Sequence, residues 1–165
     1  MAIETREFDF DAEIERLEDK IDELAETVSG LDPTSKRAKS LEDRGNKLDT
    51  YRRGLEWARE AWDDDSVTLG GLNAGEYGEM QDKLPAGAGD GATRVYYVAA
   101  GTVKAPYAED GLEETVPNVA QLPIAYVRWA EAQINDLTSV GETGNRFYDS
   151  LRGTQARATS DEASG

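Results

Sequence analysis

The chain contains no cysteine and no histidine. The first absence removes disulfides and thiolate metal ligands, and the second removes the side chain that titrates nearest neutrality and most often holds zinc or iron. Cysteine nucleophiles and histidine general bases are therefore excluded, and any catalysis would rest on carboxylates, Tyr, Lys or Ser. Aromatic residues make up 8% and hydrophobic residues 38% of the 165. That supports a modest core, with much of the length in thin, exposed elements. No apolar run approaches the about 20 residues of a membrane-spanning helix. The opening MAIETREFDF lacks the apolar core of a signal peptide, so a cytoplasmic protein is expected. Basic charge is scarce too, with 18 Lys and Arg against 34 Asp and Glu. No basic run is present to neutralise phosphates and release counterions, so nucleic acid is not an expected partner.

What is present in excess is negative charge, a net of −16. Such a chain repels itself in dilute buffer and suits concentrated salt, where at about 1 M the screening length is roughly 3 Å. DNA mimicry is the competing explanation, but the acids are scattered through every segment and form no phosphate-like row.

Phe10, Ile14, Leu17, Ile21, Leu24, Val28 and Leu31 alternate steps of four and three, the seam of a coiled coil. Gly30 suits the C-cap of that helix, and Pro33 with Thr34 or Ser35 suits a new start. A second helix follows with Leu41, Leu48, Tyr51, Leu55, Ala58 and Trp62 on one side, interrupted by Gly45 and Gly54. Residues 8–62 are thus expected to form an antiparallel helical hairpin. Phe10, Ile14, Leu17, Ile21, Leu24 and Val28 are its oligomerisation candidates, because such a seam supplies packing and no chemistry.

The glycines of LGGLNAGEYGEMQDKL, residues 69–84, resemble a loop built to grip a ligand. A phosphate loop needs a Lys and a Ser or Thr after its last glycine, and none follows. A calcium loop opened by Asp65 would place Gly70 and Glu76 correctly, but Val67 and Leu69 would fall where oxygen ligands are required. Local chemistry reads instead as a short strand through Val67 and Leu69, a glycine turn, and a helix capped by Asn73 with Glu76 three residues on. Leu72, Tyr77, Met80 and Leu84 then face inward or toward a partner. No residue is assigned to a cofactor or a metal.

PAGAGDGAT, residues 85–93, reads as a flexible linker. Its glycines formally match a dinucleotide fingerprint, but that motif must follow a strand, and a helix and a proline precede it here. In TRVYYVAAGTV the residues Val95 to Val98 favour a strand and the alanines a helix, with the reading leaning to helix. PNVAQLPIAYVRWAEAQINDLTSVG is expected to be the central core helix, with Pro117 and Pro123 in or before its first turn. Residues 142–165 turn polar and small and are expected to be a largely disordered tail. Within it Phe147, Tyr148 and Leu151 form a sticky segment that docks on the core or on a partner. The fold class expected is mainly α, the hairpin followed by a small helical domain over residues 63–141 with one short strand or β-hairpin.

Three stretches in order, VTLGGLNAGEYGEMQD, VAAGTVKAPYAEDGLEETVP and VAQLPIAYVRWAEAQINDLT, resemble the tail assembly chaperones of long-tailed viruses. The resemblance covers about residues 65–141. With the salt-adapted composition, the chain looks like the version from a virus or provirus of a halophilic archaeon. The hairpin departs from the compact family pattern. The resemblance implies a non-catalytic protein that coats the tape measure protein before the tail tube forms, then yields it to tail tube subunits, in the host cytoplasm during assembly. It also implies a frameshifted longer product. Leu72, Tyr77, Met80, Leu84, Val95, Val98, Trp129 and the Phe147 to Leu151 segment are the candidate partner contacts, and self-association is a further candidate. The alternative reading is a structural virion protein of the tail or head-tail connector. A carboxylate hydrolase ranks below both, because WDDDS offers acids without the fixed pair and cleft that glycoside hydrolysis requires.

Overall fold

The computed structural model describes residues 4–141. In chain order the elements are β1 (Thr5–Asp9), α1 (Phe10–Ser29), α2 (Lys36–Ala61), β2 (Ser66–Gly70), α3 (Ala74–Lys83), α4 (Asp90–Gly101), β3 (Thr102–Lys104), α5 (Leu112–Val119) and α6 (Ile124–Gly141). The fold is mainly helical, with a small antiparallel sheet of order β1-β2-β3.

The sheet is larger than the single strand or hairpin expected. β1 had no counterpart in the sequence reading, because TREFD contributes one buried residue, Phe8, among charged neighbours. It forms by pairing with β2 in the register Glu7 with Thr68 and Phe8 with Val67, across the whole helical hairpin. Phe8, Val67 and Leu69 are buried, while Ser66 Oγ donates to Glu7 Oε1 at 2.9 Å on the open face.

β1 passes into α1 without a loop, since the Asp9 carboxylate accepts the Ala12 amide at 2.9 Å and caps the helix. Gly30 ends α1 and Ser35 caps α2 through the Ala38 amide, as expected. The short connection between Ser29 and Lys36 makes the two helices antiparallel, and two exposed ion pairs bridge them, Asp11 with Arg59 at 3.0 Å and Glu18 with Arg52 at 3.9 Å. Neither glycine interrupts α2. Gly54 lies so close to α6 that a Cβ would sit 2.4 Å from the Tyr126 amide nitrogen, whereas one at Gly45 would meet nothing within 4 Å.

The base of the hairpin shares one core with the rest of the described chain. Phe10, Ile14 and Leu17 are buried with Tyr51, Leu55, Val67, Leu69, Tyr126, Trp129 and Ile134. Trp62, just past α2, packs on Phe10 at 6.0 Å, Tyr107 at 5.5 Å and Tyr126 at 5.1 Å between ring centroids. The Tyr107 and Tyr126 hydroxyls meet at 2.9 Å inside this cluster. Burial pushes the pKa of Tyr107 up, and that of Tyr126 well above its ordinary value.

Two further expectations change. Helix α4 begins at Asp90, so the linker is shorter than residues 85–93; the Val95 to Val98 stretch within it is helical, as the reading leaned. The long C-terminal helix is two helices, with Pro117 inside α5 and a break over residues 120–123 before α6. Pro123 lacks an amide proton and disfavours helix in the residue before it, so α6 starts after it.

Candidate functional site

The LGGLNAGEYGEMQDKL stretch forms a strand end, a turn and a capped helix. Asn73 Oδ1 accepts the Glu76 amide at 2.9 Å, and Glu76 Oε1 accepts the Asn73 amide at 3.2 Å, a reciprocal capping box. The glycines serve packing. Gly71 lies against the α6 backbone, where a Cβ would sit 2.7 Å from the Leu137 carbonyl and the Thr138 nitrogen. That approach lets the Leu72 amide donate to Thr138 Oγ1 at 3.0 Å. Thr138 in turn donates to the Ile134 carbonyl at 2.8 Å, which leaves its oxygen to accept from Tyr97 Oη at 3.4 Å.

With α3 fixed in this way, a groove of about 670 Å³ opens between α3, α4 and α6. Leu72 and Met80 form its apolar floor and are buried. Tyr77 stands at the wall with 47% of its surface exposed, its hydroxyl accepting from Gln81 Nε2 at 2.9 Å. Ala74 and Gly78 keep that wall low, and a Cβ at Gly78 would meet nothing within 4 Å. Across the groove Arg94 Nε donates to Glu131 Oε2 at 2.6 Å, tying α4 to α6. Asn73, Asn135 and Thr138 bring polar atoms to the rim. The volume falls within the about 300–1,000 Å³ typical of ligand pockets. An apolar floor, an aromatic wall and a polar rim can seat one or two apolar side chains of an extended or helical segment and fix their direction.

The candidate residues divide among three places. Leu72, Tyr77 and Met80 meet at the groove, but Leu72 and Met80 are spent on the core beneath it, so of the three only Tyr77 is open to a partner; Leu84 and Val95 are half-buried against the core. Val98 and Trp129 are fully buried, because both point into the layer where α6 meets α4 and the sheet. A partner reaches neither without unfolding. Phe10, Ile14 and Leu17 are likewise buried within the chain, while Ile21, Leu24 and Val28 are half-buried farther along the hairpin. Phe147, Tyr148 and Leu151 lie outside the described residues. The sequence reading missed Arg94, Glu131, Asn135 and Thr138. They come from α4 and α6, and only the tertiary fold brings them to α3.

Asp65 and Glu76, the outer positions of the calcium reading, are separated by strand β2, and Glu76 is engaged in the capping box. Among the described residues no group of three or more acidic side chains is placed to hold a metal ion. No helix among them is long and apolar enough to cross a membrane. Comparison with family models, with curated proteins and with solved structures finds no match to this chain.

Proposed function

We propose that this protein is a tail assembly chaperone of a long-tailed virus, which holds a segment of the tape measure protein in the groove between α3, α4 and α6 and yields it to tail tube subunits. The observation that carries the reading is the groove itself. Its floor and one wall come from Leu72, Tyr77 and Met80, in the first of the three stretches with the family resemblance. Each apolar anchor seated there contributes roughly 1.5–3 kcal/mol of burial. The one or two that the groove seats supply roughly 1.5–6 kcal/mol before the cost of association, a grip weak enough to be surrendered. In concentrated salt charge steering is screened, so an apolar groove is the feature that retains affinity. The reading places the protein in the host cytoplasm during assembly, with the hairpin projecting from a core that it shares with the chaperone-like part.

The alternative is a structural component of the tail or connector. Mass spectrometry of purified virions separates the two. The chaperone reading expects the protein in infected cells and its absence from particles, and stoichiometric abundance in particles would replace it with the structural role.

A further inference from the structure

Helix α6, the last of the described elements, ends at the edge of the groove between α3, α4 and α6. Glu131, Asn135 and Thr138 line that groove, and the helical repeat brings the same side round again at 141–142, where α6 ends. The bond from the Leu72 amide to Thr138 Oγ1 holds that end beside the start of α3. Residues 142–165 follow. Gly144 and Asn145 come early, the residue types that chain reversals favour. Phe147, Tyr148 and Leu151 come next, the only large apolar side chains of that segment. The steps from Gly141 to Phe147 reach up to about 20 Å, more than the about 15 Å length of the ten-residue α3.

What the groove leaves open matches what this segment carries. The floor is closed, since Leu72 and Met80 are buried. The open apolar surface is aromatic, with Tyr77 of α3 47% exposed and Tyr97 of α4 half-buried. Rings pack on such walls offset or edge-on, which suits Phe147 and Tyr148. Asp90 lies on the rim and makes no ion pair among the described residues. Arg146 and Arg152 flank the three apolar residues with Asp149 as the one acid between them, so this stretch is net positive in a chain of net −16.

We propose that residues 146–152 of the same chain occupy the groove and cover Tyr77 until a client displaces them. The tether selects this occupant. One open aromatic wall gives a free peptide little to hold, whereas a short link to α6 keeps the chain's own segment at roughly millimolar effective concentration. The inference rests on the chaperone reading for the identity of the client, a tape measure segment, and adds the regulation of its binding. A client must outcompete the tail, so its apparent affinity falls with the fraction of grooves that stand open.

Disulfide trapping in the full chain tests it, because the protein has no cysteine of its own. Gly78→Cys enters open space on the groove wall and replaces a poor helix former, and Ser150→Cys lies among the apolar residues. The pair is oxidised in a glutathione buffer, with and without Phe147→Ser, Tyr148→Ser and Leu151→Ser. The expected product has the mass of one chain, 18.0 kDa, and forms at least several-fold faster with the apolar residues in place. Equal rates would mean that the tether alone brings the cysteines together and would overturn the proposal, as would a product with the mass of two chains. Ala74→Cys, exposed on the same wall, replaces Gly78→Cys should that variant fail to fold. No tape measure protein enters the comparison, so its outcome does not depend on whether the chaperone reading stands.

Discussion

Gly54 and Gly45 lie in one helix nine positions apart, yet the same substitution at each is predicted to act with opposite sign. An alanine at Gly54 would place its Cβ 2.4 Å from the Tyr126 nitrogen, 2.6 Å from the Ala125 carbonyl carbon and 2.7 Å from the Tyr126 Cα. Ordinary contact begins at 3.4 Å, and all three neighbours are backbone, so no side chain can swing aside. α2 and α6 must separate by about an ångström, and overpacking of this kind costs roughly 1–3 kcal/mol. The gain in helix propensity, roughly 0.5–1 kcal/mol, offsets part of it. Gly54→Ala is thus predicted to destabilise by roughly 1–2 kcal/mol, while Gly45→Ala keeps the propensity gain alone. For a domain of this size 1 kcal/mol moves the midpoint by about 2–4 °C. Thermal melts followed by circular dichroism, at one low protein concentration, should show Gly54→Ala below wild type by roughly 2–8 °C and Gly45→Ala above it by roughly 1–4 °C. If both variants rise together, α2 does not dock on α6 at Gly54 and the shared core is wrong.

Three further outcomes follow from named contacts. The pKa values of Tyr107 and Tyr126 are raised by burial above the ordinary 10.0. Both therefore stabilise the fold fully below about pH 10, where the unfolded chain begins to lose their protons, and that stability declines as pH rises further. A melting temperature that falls steeply above that point, less so in Tyr107→Phe with Tyr126→Phe, is the expected titration, and an unchanged alkaline slope in the double variant would contradict it. Thr138→Val leaves the Leu72 amide without its acceptor and should cost about 1–3 kcal/mol in denaturant titrations, with a loss below about 0.5 kcal/mol contradicting the role given to this bond. The net charge of −16 predicts a melting temperature that rises from dilute buffer to molar KCl, and a flat or falling curve would remove the salt-adaptation argument.

How much of this was legible in the sequence depended on the range of the interaction. The α1 helix, the Gly30 and Ser35 ends of the hairpin helices and the Asn73 capping box are local patterns, and each has its structural counterpart, while of the α1 seam only Phe10, Ile14 and Leu17 are buried. β1 was not legible, since its one buried residue gives no alternation and its partner strand begins more than fifty residues later. The two glycines of α2 look alike in sequence, and only the path of α6 distinguishes a tight crossing from open space. The break before α6 was hidden because two prolines could each be placed in a single first turn. At the candidate site, helical spacing put Tyr77 and Met80 on one face of α3 and the turn chemistry brought Leu72 beside them. The opposite wall, Arg94, Glu131 and Thr138, needed the packing of three helices. Trp129 was named as a candidate contact, but its side chain is wholly buried in the core.

The central claim is that the groove between α3, α4 and α6 holds a tape measure segment, and it is tested most directly by filling the groove without touching the core. Met80 is fully buried and serves the fold, so the informative positions are Tyr77, which is half exposed, and Gly78, where a new side chain meets open space. Tyr77→Ser with Gly78→Gln removes the aromatic wall and occupies the gap. The measurement is the amount of tape measure protein that stays soluble when co-expressed with wild type or with this variant, in concentrated salt, with the variant's melting temperature recorded alongside. The account predicts a several-fold loss of soluble tape measure protein at unchanged stability of the variant. Equal solubility with a folded variant would contradict it.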